Sequence, residues 1–122
     1  MTVSHITTHV LDAVQGVPAP GVAVQLFAQD GPNNDSSPAG GGWRLIAEAV
    51  TDTDGRAKQL GPERLTAGAY RLRFDTGAYF AATDTPTFFP EALLTFLVDE
   101  ERPHYHVPLL LSPFAYSTYR GS

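Results

Sequence analysis

A chain of 122 residues, 43% of them hydrophobic, has the size of one globular domain with a single packed core, so one domain is predicted over residues 1–122. A net charge of −5 without a basic cluster argues against nucleic-acid binding, and the absence of a long apolar run argues against a membrane span. With no cysteine for disulfides or thiolate chemistry and no signal-peptide pattern, a cytoplasmic location is expected.

Alternating polar and apolar residues predict that the chain begins with a β-strand over Ile6–Asp12. Side chains of a strand point alternately to its two faces, so His9 shares a face with Thr7 and Leu11. The Gly- and Pro-containing segment Gly16–Gly21 is expected to form the turn after this strand.

The middle of the chain contains two loops and a helix between further strands. Asp30–Gly42, which is rich in Pro, Asn, Ser and Gly, is expected to be a long exposed loop that connects a hairpin. Thr51–Arg56 is predicted to be a tight turn whose Asp-Gly step supplies a positive φ. Asp75 is expected to cap a short helix over Thr76–Ala82. The predicted strands of this part are Val22–Phe27, Trp43–Val50, Ala69–Phe74 and Ala92–Val98.

The last residues of the sequence are expected to follow from a hairpin made of strands His104–Pro113 and Phe114–Thr118. Tyr119–Ser122 would then be held within a structure instead of trailing away. A guanidinium, two hydroxyls and a terminal carboxylate would arrive together at one place, which makes this segment a candidate site. Seven or eight short strands with one short helix indicate an all-β fold, an antiparallel β-sandwich.

Histidines are the first candidates for chemistry, because their ordinary pKa lies near neutrality. His104 and His106 share one face of a predicted strand, and the apolar opposite face is expected to line the core. The pair would therefore lie on the outer face of a sheet, where a structural role is the commoner one. The His-X-His spacing also permits a zinc site, but no third ligand follows at a fixed spacing.

The remaining polar residues have simple structural interpretations. Arg56 after a turn suits a solvated charge, and Asp52 and Asp54 suit turn formation. A Ser-His-Asp triad lacks the Gly-X-Ser-X-Gly elbow, and no phosphate-binding, dinucleotide or calcium loop is present. Residue chemistry alone therefore predicts a β-sandwich with a histidine-bearing outer face.

Three separated motifs in the sequence resemble the 5-hydroxyisourate hydrolases, also called transthyretin-like or transthyretin-related proteins. They are Thr8-His9-Val10-Leu11-Asp12 with Gly16-Val17-Pro18-Ala19, then Thr51-Asp52-Thr53-Asp54-Gly55-Arg56, and finally the terminal Tyr119-Arg120-Gly121-Ser122 preceded by His104-Tyr105-His106-Val107-Pro108-Leu109-Leu110-Leu111-Ser112. The resemblance covers essentially the whole chain. Two departures are the length of the Asp30–Gly42 loop and Ala115, where the family more often has Gly or Ser.

The resemblance implies a transthyretin-like sandwich and the hydrolysis of 5-hydroxyisourate, the product of urate oxidation, to 2-oxo-4-hydroxy-4-carboxy-5-ureidoimidazoline. It implies no metal or organic cofactor. It also implies a homotetramer, a dimer of dimers, in which the outer sheet faces of dimers meet and enclose the active sites. An outer face that is exposed in one chain would then become the wall of a confined site.

The resemblance assigns the catalytic positions to His9, Arg56, His106 and Ser122, and substrate contacts to His9, Arg56, Ser122 and Tyr119. His104 is expected to be secondary, and His5 a bystander. Either His106 or His9 would activate water, and Arg56 would hold the anionic substrate and disfavour protonation of a neighbouring histidine.

A carrier of a hydrophobic ligand in the central channel is the main alternative, because one fold can host both functions. Polar, titratable side chains at His9, Arg56 and His106 favour the enzyme over a carrier, which needs an apolar channel.

Overall fold

Two β-sheets and one short helix make up the protein, in a computed structural model that describes residues 3–29 and 42–121. The predicted loop Asp30–Gly42, except for Gly42, and the predicted catalytic residue Ser122 lie outside the described residues. In chain order the elements are β1 Ile6–Asp12, β2 Val17–Pro18, β3 Ala23–Gln29, β4 Trp43–Val50, β5 Arg56–Ala57, β6 Gly68–Phe74, α1 Thr76–Ala81, β7 Ala92–Val98, β8 Tyr105–Ser112 and β9 Ala115–Thr118.

The first sheet has the strand order β2-β1-β8-β9, with β5 also paired to β1, and the second has the order β4-β3-β6-β7. The predicted β-sandwich with one short helix is confirmed. Among the described strands every pair is antiparallel except β1 and β8, which run parallel, a pairing that the sequence did not predict. The pairing joins strands that are distant in the sequence, and alternation within one strand does not reveal its partner.

Both sheets contribute to a shared hydrophobic core. The single domain over residues 1–122 stays a prediction. The predicted face of β1 opposite His9 is buried: Ile6, Thr8 and Val10 are fully inaccessible to solvent. The Thr8 hydroxyl is satisfied there, because it donates to the carbonyl oxygen of Val107 at 2.5 Å. The core-facing residues of β8 are Tyr105, Val107, Leu109 and Leu111, as the alternation predicts.

The helix begins where the sequence predicts, because the Asp75 side chain accepts a hydrogen bond from the backbone N–H of Ala78. The Tyr79 hydroxyl donates to Asp12 Oδ2 at 2.8 Å and so ties the helix to the end of β1. Burial, together with the neighbouring Asp12 carboxylate, raises the pKa of Tyr79 to about 12. Within the described part of the chain, no helix is long and apolar enough to cross a membrane.

Two predicted turns include or lead into strands of two residues each, which are too short to show an alternating pattern in the sequence. The segment Gly16–Gly21 includes β2, which pairs with the end of β1, and Thr51–Arg56 leads into β5, which pairs with the middle of β1. Both pairings require close packing against β1. Gly55 has a φ of +76°, and a Cβ atom at this position would lie 2.4 Å from the Val10 carbonyl oxygen. The backbone of the turn therefore approaches β1 at a distance that only glycine allows.

Replacement of Gly55 by alanine should test this close approach, with Gly16 as the matched control. Gly16 has a similar φ of +73°, but a Cβ atom built on it has no heavy atom of the described residues within 4 Å. Gly16→Ala should lower the free energy of unfolding by about 1 kcal/mol, the cost of left-handed backbone for alanine. Gly55→Ala should lower it by about 3 kcal/mol or more, because backbone must also move. Urea denaturation measures both, and equal losses would contradict a steric role for Gly55.

Candidate active site

The parallel pairing of β1 with β8 brings three polar side chains together on the outer face of the first sheet. In its register Thr7 lies opposite His106, and His9 lies opposite Pro108. The ring centroids of His9 and His106 are 6.5 Å apart, and those of His104 and His106 are also 6.5 Å apart. The predicted His104–His106 face is thus confirmed as an outer face, and His9 lies beside it.

Arg56 reaches this group because the turn before it is built by Asp52. The Asp52 carboxylate accepts hydrogen bonds from the backbone N–H groups of Asp54 and Arg56, at 2.8 and 3.0 Å. The pKa of this carboxyl lies below its usual range, chiefly because of the hydrogen bond from Arg56. Strand β5 then places Arg56 opposite His9 in the antiparallel register. Asp52 is therefore a turn former, as predicted, and the turn also positions the cation.

The same turn orients the ring of His9. Its Nε2 lies 2.9 Å from the carbonyl oxygen of Asp54. A carbonyl oxygen can only accept, so Nε2 carries the hydrogen and donates it. In the neutral ring, Nδ1 is then the nitrogen with a lone pair. Asp54 thus acts on the candidate site through its backbone.

Thr7 is a member of the site that the sequence motifs did not single out. Its Oγ1 lies 3.0 Å from Nε2 of His104 and 2.9 Å from Nδ1 of His106. One ring nitrogen of each of these two histidines is therefore turned to the same hydroxyl. Among residues 3–29 and 42–121, no three His, Cys, Asp or Glu side chains form a group able to hold a metal ion.

A cavity of about 250 Å³ opens above these residues. Lys58, one residue beyond β5, is the second cation at this cavity and was also missed from the sequence. The sequence spacing could have indicated both residues, because side chains two apart on a strand share a face. Thr7 is two residues from His9, and Lys58 is two residues from Arg56. The lining residues are Val3, Thr7, Thr8, Arg56, Lys58, His104 and His106.

The electrostatic environment keeps His106 neutral. Burial lowers the pKa of His106 below its ordinary value of 6.5, and the positive charge of Arg56 and the two neighbouring histidines lower it further. The folded protein therefore holds fewer protons at this ring than the unfolded chain when the pH falls below about 6.5. Stability from this group is fully present above that pH and is lost as the pH falls through the lowered pKa.

The C-terminal segment contacts the site through Gly121. Its backbone N–H donates to the carbonyl oxygen of His106 at 2.8 Å. A Cβ atom on Gly121 would lie 2.9 Å from Cδ2 of His106, so the absence of a side chain allows the ring to sit against the backbone. This contact agrees with the prediction that the end of the sequence is held in place.

The structure does not bring Tyr119 to the same cavity. Tyr119 is 58% exposed and lines a different cavity of about 350 Å³, between β7 and the last two strands. The predicted catalytic residue Ser122 lies outside the described residues. Of the predicted site residues, the structure therefore groups His9, Arg56 and His106, with His104 beside them.

His5 is separate from this group and has a structural role. It is 1% exposed, Nε2 donates to the carbonyl oxygen of Arg102 at 2.7 Å, and Nδ1 accepts from the backbone N–H of Leu65 at 2.9 Å. Both ring nitrogens are occupied by backbone groups from distant parts of the chain. His5 therefore joins two loops in the interior.

Comparisons with known proteins agree with the motifs and the fold. A model of the HIUase/Transthyretin family matches residues 6–121. The chain is 46% identical to the 5-hydroxyisourate hydrolase of Salmonella dublin over 96% of this chain and 80% of that protein. The structure of the Klebsiella pneumoniae 5-hydroxyisourate hydrolase aligns with a TM-score of 0.79 and 35% identity, covering 98% of this chain and all of that one. Transthyretin from Sparus aurata aligns with a TM-score of 0.82 and 36% identity, covering 96% of each chain.

Removal of the Arg56 charge should raise the pKa of His106, which an NMR pH titration of the ring measures directly. In Arg56→Gln the pKa should move toward 6.5, its ordinary value, and remain below it because burial persists. Lys58→Gln is the matched control, since Lys58 borders the same cavity without lowering this pKa. An unchanged pKa in Arg56→Gln, or an equal rise in both variants, would contradict the assigned role of Arg56.

Proposed function

This chain belongs to the HIUase/Transthyretin family, and we propose that it opens the ring of 5-hydroxyisourate by hydrolysis in urate breakdown. The chain is an enzyme, since relatives from Salmonella dublin and mouse at 46% and 38% identity are 5-hydroxyisourate hydrolases. The product is 2-oxo-4-hydroxy-4-carboxy-5-ureidoimidazoline. The single observation that carries this proposal is the convergence of His9, Arg56 and His106 on one outer sheet face.

A carrier function is disfavoured by the same observation. The fold does not decide, because a transthyretin aligns as well as a hydrolase does. A carrier of an apolar ligand would have to desolvate the guanidinium of Arg56 and the polar ring atoms of His106 without giving them partners. A small, polar, anionic ring offers such partners.

Hydrolysis of a cyclic amide needs a base for water, stabilisation of the oxyanion and a proton for the departing nitrogen. His106 is the base in this proposal, because its lowered pKa leaves the ring neutral near pH 7 and able to accept a proton. Arg56 remains charged, so it binds the anionic substrate and stabilises the charge that develops on the attacked carbonyl. Burial and the Arg56 charge thus both favour the neutral base, and the same cation attracts the substrate.

His9 has a different part in the reaction, because its Nε2–H is committed to the carbonyl oxygen of Asp54. Its Nδ1 can accept a hydrogen bond from the substrate and orient it. Ser122, the residue after Gly121, is proposed to orient the water or relay a proton. The substrate contact of Tyr119 stays a prediction, because Tyr119 lines a different cavity of the single chain. Neither role requires a metal or an organic cofactor.

The proposed active form is a homotetramer, a dimer of dimers, in the cytoplasm. Arg56 and His106 line a cavity on the outer sheet face, and the ring of His9 lies beside His106 without lining this cavity. A second copy placed over this face would exclude water and strengthen every charge interaction in the site. Such an arrangement supplies the confinement that the single chain lacks.

The decay of freshly generated 5-hydroxyisourate, followed by its ultraviolet absorbance, tests the proposed reaction. The protein should accelerate the loss well beyond the spontaneous rate, and treatment with a chelator should leave the acceleration unchanged. A rate equal to spontaneous decay would contradict the hydrolase function. Loss of activity in the chelator, restored by a metal, would contradict the metal-free mechanism alone.

Substitutions should separate the proposed roles of the three residues. His106→Asn should lower kcat by about a hundredfold or more, the usual contribution of a general base. Arg56→Gln should lower kcat/KM, partly through weaker substrate binding. Arg73→Gln is a matched control, because Arg73 is paired with Glu91 and Gln25 on the other sheet. Near-normal activity of both His9→Asn and His106→Asn would contradict the site assignment.

A further inference from the structure

The hydroxyl of Thr7 lies between two histidine rings in the middle of the first sheet. Thr7 is 6% exposed, so bulk water has little access to its side chain. Its Oγ1 is 2.9 Å from Nδ1 of His106 and 3.0 Å from Nε2 of His104. Strand register fixes this arrangement, because Thr7 is the residue of β1 directly opposite His106. The contact is therefore built by the fold.

A hydroxyl has one hydrogen to donate, and this limits the protonation of the two rings. If the Thr7 hydroxyl donates to Nε2 of His104, Nδ1 of His106 must carry a hydrogen and donate to the Thr7 oxygen. If the hydroxyl donates to Nδ1 of His106, Nε2 of His104 must be the donor. The hydroxyl therefore couples the tautomer of one histidine to that of the other.

We propose that Thr7 is a positioning residue that holds His106 in its Nδ1–H tautomer. In this arrangement the Thr7 hydroxyl donates its hydrogen to His104, and Nε2 of His106 is the basic atom. The inference rests on the proposed function, because it makes His106 a better base for the hydrolytic water. Only this arrangement leaves a lone pair on Nε2, on the side of the ring away from Thr7. The opposite arrangement would place a hydrogen where the base must accept one.

The arrangement also suits the charged ring that forms when Nε2 takes a proton from water. Nδ1–H then donates from an imidazolium, and a charge-assisted hydrogen bond is stronger than a neutral one. Thr7 can accept it without any rearrangement, since its own hydrogen is already bound to His104. The charged group that acts on the ring is Arg56 from β5, its titratable neighbours are His9 and His104, and Lys58 lines the same cavity. His104 must stay neutral to accept from Thr7.

Nitrogen chemical shifts of ¹⁵N-labelled histidine, measured above pH 7, test the tautomer without any enzyme assay. Wild-type His106 should carry its hydrogen on Nδ1, and Thr7→Ser should retain this tautomer because it keeps the hydroxyl. Thr7→Val should shift His106 toward the Nε2–H tautomer. His104→Phe should do the same, because the Thr7 hydroxyl loses its acceptor and turns to Nδ1 of His106.

The change of tautomer in Thr7→Val should also lower the catalytic rate. Thr7→Val should lower kcat about tenfold or more with little change in KM, since the base is misprotonated and substrate contacts remain. Thr7→Ser should restore most of kcat. Thr51→Val is the structural control: Thr51 is also a buried threonine, and its hydroxyl donates to the carbonyl of Ala19 and accepts from the N–H of Val22. That variant should lose stability without changing the His106 tautomer.

The outcomes separate this inference from the hydrolase proposal. An unchanged His106 tautomer in both Thr7→Val and His104→Phe, or an Nε2–H tautomer in the wild type, overturns the role of Thr7 even if the protein hydrolyses 5-hydroxyisourate. If Thr7→Val does not fold, His104→Phe decides alone, because His104 is only half-buried. A coupled tautomer in a protein with no hydrolase activity would support the coupling and contradict the hydrolase.

Discussion

The parallel pairing of β1 with β8 is the constraint on which the candidate site depends. It sets Thr7 opposite His106 and brings His9 alongside, so that three polar side chains from two distant segments share one face. The other faces of the same two strands are buried in the core. A slip by one residue would turn the polar side chains inward and expose the core residues, which hydrophobic burial forbids. Core packing and site geometry are therefore fixed by one register.

A second element, the turn before β5, completes the site by approaching the middle of β1. Gly55 permits the approach, Asp52 closes the turn, and Arg56 emerges opposite His9. The turn also supplies the carbonyl that orients His9. The turn thus fixes the position of the Arg56 cation, whose charge lowers the pKa of His106.

Local patterns were sufficient to predict the strands, their faces and the helix cap. The alternation in β1 and β8 separates core from outer face because a half-buried strand repeats every two residues, and Asp75 caps the helix by a contact three residues away. The parallel partner of β1, the short β5 pairing and the Thr7 contacts with both rings were not predicted. Each depends on residues far apart in sequence, which no local period encodes. The family motifs pointed to His9, Arg56 and His106. The position of Thr7 between the two histidine rings is seen only in the three-dimensional structure.

The sequence distance across the β1–β8 pair has a consequence for how the molecule folds. Thr7 and His106 are 99 residues apart, whereas the β6 and β7 strands of the second sheet are near neighbours in the chain. Loop-closure entropy makes long-range pairings slow compared with local hairpins. The second sheet can therefore form early, and during synthesis β1 must wait for β8 to leave the ribosome. Until then its apolar face and unpaired edge are open to other chains, so the step that creates the candidate active site is also the step most exposed to aggregation.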